Sequence, residues 1–228
     1  MPELTVLMPA YNERATIERA IDDVLSADLG ADGIELVVVD DGSTDGTAEV
    51  LRTREWPENT SFLGHDRNLG KGAAIRTGLA QASGTYATVL DADLEYEAAS
   101  IAALLEPLRD GEQAVFGVRG FQSHSAYNFW YVVGNKTVTL AANLIYNSWV
   151  SDIMTCHKAM PTDLFRSLRL RERGFGIEPE ITARLLRRGV RIYEVPVTYR
   201  ARSRESGKKL TAADGLRVLV TLLRCRLD

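Results

Sequence analysis

Sulfur and imidazole are scarce in this chain, with two cysteines and three histidines among 228 residues. Cys156 and Cys225 cannot build a disulfide framework. With no leader-like segment at the start, a reduced, cytoplasmic setting is expected. His65, His124 and His157 are scattered, without ligand spacing and without a serine or cysteine partner pattern. Zinc sites and hydrolase triads therefore lack support. No apolar run reaches the roughly 18 residues of a spanning helix. An excess of basic charge is missing too: 27 Lys and Arg face 31 Asp and Glu, for a net charge of −4. Nothing global points to a nucleic-acid partner. Repeats and low-complexity linkers are absent, and the length suits a single domain with a sizeable core.

What is present alternates. Strands are expected over residues 4–8, 34–39, 61–64, 86–90 and 114–118. Helices are expected over 15–27, from Ser43 or Thr44 as cap to about Arg54, after the Gly-rich turn "NLGKG", and over 101–108 and 178–188. Such alternation implies βαβ units and a mostly parallel α/β sheet flanked by helices. Apolar strands such as "LVVV" fit a sheet covered on both faces. Pro196 moves the strand in "RIYEVPVTY" towards an edge. A final helix over 212–227 opens on a Thr211/Asp214 capping box. Its stripe of Leu216, Leu219, Val220, Leu223 and Leu227, like the apolar stretch 127–146, reads ordinarily as core. Arg217, Arg224 and Arg226 beside that stripe give the other reading, an interfacial membrane helix.

Two strands end in acids. "VLDADLEY" carries Asp91 and Asp93, with Glu95 two residues on. A strand end can turn such carboxylates to one point, and hard oxygens suit Mg²⁺ or Mn²⁺. "VVVDDGSTDGTAEVL" carries Asp40 and Asp41. One of these caps the turn, and the other accepts from a base or ribose. In open α/β sheets ligands gather at this edge. Gly70 and Gly72 permit a tight turn into a helix whose N-terminus attracts anions, with Lys71 adding a point charge. The P-loop and G-x-G-x-x-G patterns are both absent. From Arg166 to Lys209 the chain holds 13 Lys or Arg against 5 acids. Arg200, Arg202 and Lys208 lie in a basic loop there, suited to gripping phosphates.

In this order, "VLMPAYNE", "VVVDDGSTDGT", "NLGKGAAIRTG" and "VLDADLEY" resemble the family 2 glycosyltransferases of GT-A fold. The narrower likeness is to the dolichyl-phosphate mannose or glucose synthase-like branch. It continues through "GVRG", "DIMTCHKAM", "GFGIEPEITARLLRRG" and the basic loop. The resemblance implies a nucleotide-binding half, 1–95, and an acceptor half, 96–228. It implies that Pro9, Ala10, Tyr11 and Glu13, with Asp41, hold the nucleoside of a UDP- or GDP-hexose. Asp91 would lie by ribose and metal, and Asp93 and Glu95 on the metal. Arg119, Arg202 and Lys208 would meet the donor diphosphate or an acceptor phosphate. The implied chemistry inverts the anomeric centre, and the implied acceptor is a polyprenyl phosphate at the inner membrane face. A phosphate monoester, with a second pKa of about 6, needs no general base. A soluble hydroxyl acceptor would need one, with Asp152 or Glu178 as candidates. A third reading is a nucleotide-sugar-binding protein without turnover. The sequence departs from the branch at Met154 and His157, where Glu and Tyr are usual, at Glu97-Ala98, where Asp-Pro is usual, and at Ser206, where an acid is usual.

Overall fold

The computed structural model describes residues 1–120, 129–200 and 212–228. His124, Arg202, Lys208 and Thr211 lie outside the described residues. The first half is built from β1 (Leu4–Ala10), α1 (Ile17–Ser26), β2 (Ile34–Asp40), α2 (Thr47–Thr53), β3 (Thr60–Gly64), α3 (Lys71–Gln81) and β4 (Tyr86–Val89). A 3₁₀ turn then leads to α4 (Ala102–Arg109), β5 (Ala114–Arg119), α5 (Phe129–Tyr146), β6 (Lys158–Pro161), α6 (Thr162–Ser167), α7 (Ile177–Arg187), β7 (Ile192–Val197) and α8 (Ala212–Leu227).

One seven-stranded sheet gathers all of these strands, in the order β3-β2-β1-β4-β6-β5-β7. Every pairing is parallel except those of β6, which runs antiparallel to both neighbours. The β7 strand lies at the edge, as Pro196 demands. The apolar strands serve two cores. Leu4, Val6, Met8, Leu36 and Val38 face one. Leu7, Val37, Val39, Ala87 and Val89 face the other. Period-2 alternation thus explains why "LVVV" is apolar throughout.

Two short elements, β6 and α6, were not expected from the sequence. The strand β6 has four residues and starts on a charged one, Lys158, so it offers no apolar run. The expected cap of α2 also differs. Gly46, with φ +94°, holds that place, and the Thr47 N–H donates instead to Asp45 Oδ1 at 3.0 Å. Ser43 and Thr44 are engaged elsewhere, as described below.

A third cluster joins α5, α7 and α8 through Val138, Ala142, Ile153, Ala183, Val218, Leu222 and Cys225. It corrects the reading of α8. Leu216, Val220, Leu223 and Leu227 face outward, and the core side is Val218, Thr221, Leu222 and Cys225. Phe129, Trp130, Val133, Leu140 and Leu144 of α5 are exposed as well. Among the described residues, no helix is long and apolar enough to cross a membrane.

Candidate active site

Parallel register brings the ends of β1, β2 and β4 to one edge: Ala10 lies opposite Asp40, and Leu7 opposite Val89. The turn after β1, with Tyr11 exposed and Asn12 at φ +55°, is stitched to the turn after β2. The Asn12 N–H donates to Ser43 Oγ at 2.9 Å, and the Thr44 N–H to Asn12 Oδ1 at 2.8 Å. The Glu13 N–H donates to Thr47 Oγ1 at 3.0 Å, and the Arg14 N–H to Asp45 Oδ2 at 3.0 Å. The Ser43 and Thr47 hydroxyls therefore hold the backbone of Asn12 and Glu13, next to Pro9, Ala10 and Tyr11.

The two acids of β2 divide. Asp41 is buried and takes the N–H groups of Leu69 at 2.9 Å and Gly70 at 2.7 Å. His65 bridges it, with Nδ1 2.6 Å from Asp41 Oδ1 and Nε2 2.9 Å from Thr77 Oγ1. Asp40 receives only a long bond from the Ser43 N–H, 3.4 Å, and its buried Oδ1 has no hydrogen-bond partner among the described residues. Asp41 thus shapes the 69–70 turn, and Asp40 keeps the spare acceptor.

The N-terminus of α3 is not an open anion site. The Arg173 carbonyl accepts from the Ala73 N–H at 3.1 Å, and that chain segment presses on the two glycines. A Cβ at Gly70 would lie 2.3 Å from Arg173 O, and one at Gly72 2.3 Å from Glu172 O. The glycines are there for close backbone approach. Lys71 turns away, to Asp91 Oδ2 at 2.8 Å and Glu178 Oε1 at 3.0 Å. Burial alone would lower its pKa, but Asp91 and Glu178 overcome that and raise it well above the ordinary value.

Beyond β4 the chain reverses at Leu94, with φ +59°. Asp93 Oδ1 accepts the Glu95 N–H at 3.0 Å. Glu95, expected as a metal ligand, is buried and takes the Tyr199 hydroxyl at 2.5 Å. Burial and the Glu95 carboxylate push the Tyr199 phenol far up. Among the described residues, no three His, Cys, Asp or Glu side chains form a metal-holding group. The oxygens of Asp91 and Asp93 would hold an ion only together with ligands from beyond the described residues, such as donor phosphates.

Arg119 and Asp152, both linked by sequence to phosphates or an acceptor, bond each other. Arg119 Nε and Nη2 reach the Asp152 oxygens at 2.6 and 2.8 Å, and both side chains are buried. Asn135 adds a bond to Asp152 at 3.1 Å, and the Tyr131 hydroxyl accepts from Arg119 at 3.1 Å. Burial would raise the Asp152 pKa, but the Arg119 charge overrides it and holds the carboxyl below the usual range. Arg200 forms an exposed ion pair with Glu97 at 2.9 Å.

Glu178, missed as a structural residue, joins two lysines. Its Oε2 lies 2.6 Å from Lys158 Nζ, which also donates to the carbonyls of Ile153 at 3.0 Å and Thr155 at 2.5 Å. His157 lies in the core, stacked on Tyr96 with ring centroids 4.5 Å apart. Neither ring nitrogen has a partner among the described residues, and burial lowers its pKa to about 3.

Known proteins resemble this chain in sequence and in fold. Residues 5–169 match the family described as Glycosyl transferase family 2. Glycosyltransferase AglJ of Haloferax volcanii is 31% identical over 196 residues, 85% of this chain and 62% of that protein. Dolichol-phosphate mannosyltransferase of Pyrococcus furiosus is 26% identical over 228 residues, 97% of this chain and 64% of that one. The chain spans less than two thirds of either relative. Glucosyl-3-phosphoglycerate synthase of Mycobacterium tuberculosis, solved with Mn²⁺, UDP-glucose and glycerol 3-phosphate, superposes with a TM-score of 0.73 at 25% identity. That match covers 98% of this chain and 80% of the synthase. By sequence match and by architecture, the chain belongs to glycosyl transferase family 2 and has the GT-A fold.

Proposed function

We propose that this chain transfers a hexose from a UDP- or GDP-linked donor to a polyprenyl phosphate, with a divalent metal and inversion at the anomeric carbon. The observation that carries the reading is the Asp91–Ala92–Asp93 segment beyond β4, at the same sheet edge as the β1 and β2 turns. Hard carboxylate oxygens fit Mg²⁺ or Mn²⁺. Asp91 Oδ1 carries no bond to a described residue, which leaves an atom for the ion. Mn²⁺ in the mycobacterial neighbour supports the same choice. Once bound, the ion would supply positive charge that stabilises the leaving nucleoside diphosphate.

The chain's own residues do the rest. The segment of Pro9, Ala10, Tyr11 and Glu13, with Asp40 as spare acceptor and Asp41 shaping the facing turn, receives the nucleoside. Arg202 and Lys208 are assigned to phosphates on the resemblance alone. Arg119, with Asp152 neutralising it, orders the wall where the acceptor arrives.

The choice of acceptor follows from what is missing and what is exposed. Asp152 and Glu178, the candidate bases for a hydroxyl acceptor, are buried and paired with cations. An acceptor phosphate needs no base. The outward stripes of α5 and α8 offer an apolar face suited to a lipid surface. On this reading the protein works at the inner membrane face.

A thermal-shift panel of UDP- and GDP-sugars, with and without Mn²⁺, tests the donor half. One nucleotide class should stabilise the protein in a metal-dependent way, by about 2.7 kcal/mol at a hundredfold excess over Kd. Asp93→Ala should abolish the metal dependence while leaving the fold intact. An undiminished shift in that variant removes Asp93 from the metal. Transfer to polyprenyl phosphate, measured against glycerol 3-phosphate, tests the acceptor half; transfer to the soluble phosphate alone overturns it.

A further inference from the structure

Four charged side chains form a row under the site. Asp91 meets Lys71 at 2.8 Å, Lys71 meets Glu178 at 3.0 Å, and Glu178 meets Lys158 at 2.6 Å. Their formal charges alternate and cancel. Only 13% of the Lys71 side chain and 4% of the Glu178 side chain reach solvent, so screening by water is weak. Asp91 therefore enters the site already neutralised, with an ammonium one hydrogen bond from its Oδ2. A divalent ion approaching Asp91 meets that positive charge at close range.

We propose that Lys71 is a resident cation that keeps divalent ions off Asp91 until a nucleoside diphosphate arrives, so that ion binding depends on the donor. The diphosphate brings the negative charge that the ammonium has cancelled. Ion and nucleotide then bind well together and weakly apart. Glu178 sets the strength of the device, because it shares the ammonium with Asp91. This inference rests on the metal-dependent reading above and concerns the regulation of that same site.

The test is Mn²⁺ binding, read as loss of the free-ion electron paramagnetic resonance signal. It is run without nucleotide, then with saturating UDP, then with GDP. Lys71→Met should bind Mn²⁺ alone about tenfold more tightly than the wild type, and nucleotide should add little further. Lys71→Arg keeps the charge and should restore nucleotide dependence. Glu178→Gln should weaken binding of Mn²⁺ alone, since the ammonium then belongs to Asp91 only. A merely structural role would not give opposite signs in Lys71→Met and Glu178→Gln. Because Glu178→Gln leaves Lys158 buried without its carboxylate, the two Lys71 variants decide first. Lys71→Met that binds Mn²⁺ alone no better than wild type, while nucleotide still promotes binding, overturns the proposal and leaves the metal reading standing. A folded Glu178→Gln protein with tighter Mn²⁺ binding overturns it as well. Wild-type protein that takes up no Mn²⁺ with either nucleotide overturns both.

Discussion

Asp40 and Asp41 adjoin in the sequence and differ in everything around them. The sequence shows two acids ending a strand. It cannot show which is consumed, because the donors to Asp41 are backbone groups 28 and 29 residues further on. Arg119 and Asp152 teach the same lesson. By sequence Arg119 is a group for phosphate and Asp152 a candidate base on the acceptor side, and only the packing of β5 against the 152 segment makes them partners. Asp152→Asn would remove the buried carboxylate that accepts two bonds from the Arg119 guanidinium. It should cost about 3–5 kcal/mol of stability, read by chemical denaturation. A loss below about 1 kcal/mol would mean that solvent reaches the pair. His157 gives a pH effect with a defined sign. Its pKa is depressed from 6.5 to about 3, so the unfolded chain binds the proton that the folded one refuses. The corresponding stability is full above pH 6.5 and falls as the pH drops below it. Between pH 8 and 5 the loss is about 2 kcal/mol. Denaturation of His157→Phe over that range should lack this slope; an unchanged slope would assign it to other groups.

At the scale of elements, what could be read was what repeats. The strands β1 and β2 are apolar on both faces and bounded by turn residues, and the structure has them within two residues of expectation. The strand β6 was illegible because a buried lysine opens it, and that lysine is tolerated through its bonds to Glu178 and two carbonyls. The helix α8 was legible as amphipathic but not in its orientation. Two of its sides are apolar, and sequence does not say which one α5 and α7 cover. The outward stripe makes the membrane reading testable. Leu223→Glu should lower co-sedimentation with anionic vesicles several-fold, while stability stays within about 0.5 kcal/mol. Unchanged sedimentation would remove that face from any lipid contact.

At the scale of the molecule, the two halves of the chain meet in one sheet through β6, paired on one side with β4 and on the other with β5. This is why the site draws on both halves: Lys71 and Asp91 come from one, Glu178 from the other. The same seam has a meaning during synthesis. The β4 strand leaves the ribosome as part of a nearly complete parallel block, yet its outer edge stays unpaired until β6 follows. At roughly 5–20 residues per second, the stretch from Val89 to Lys158 keeps that edge open for several seconds. An open strand edge is a template for pairing with another chain. Nascent copies on one message are thus most exposed to mispairing in that interval, and slowing translation between β4 and β6 would lengthen it.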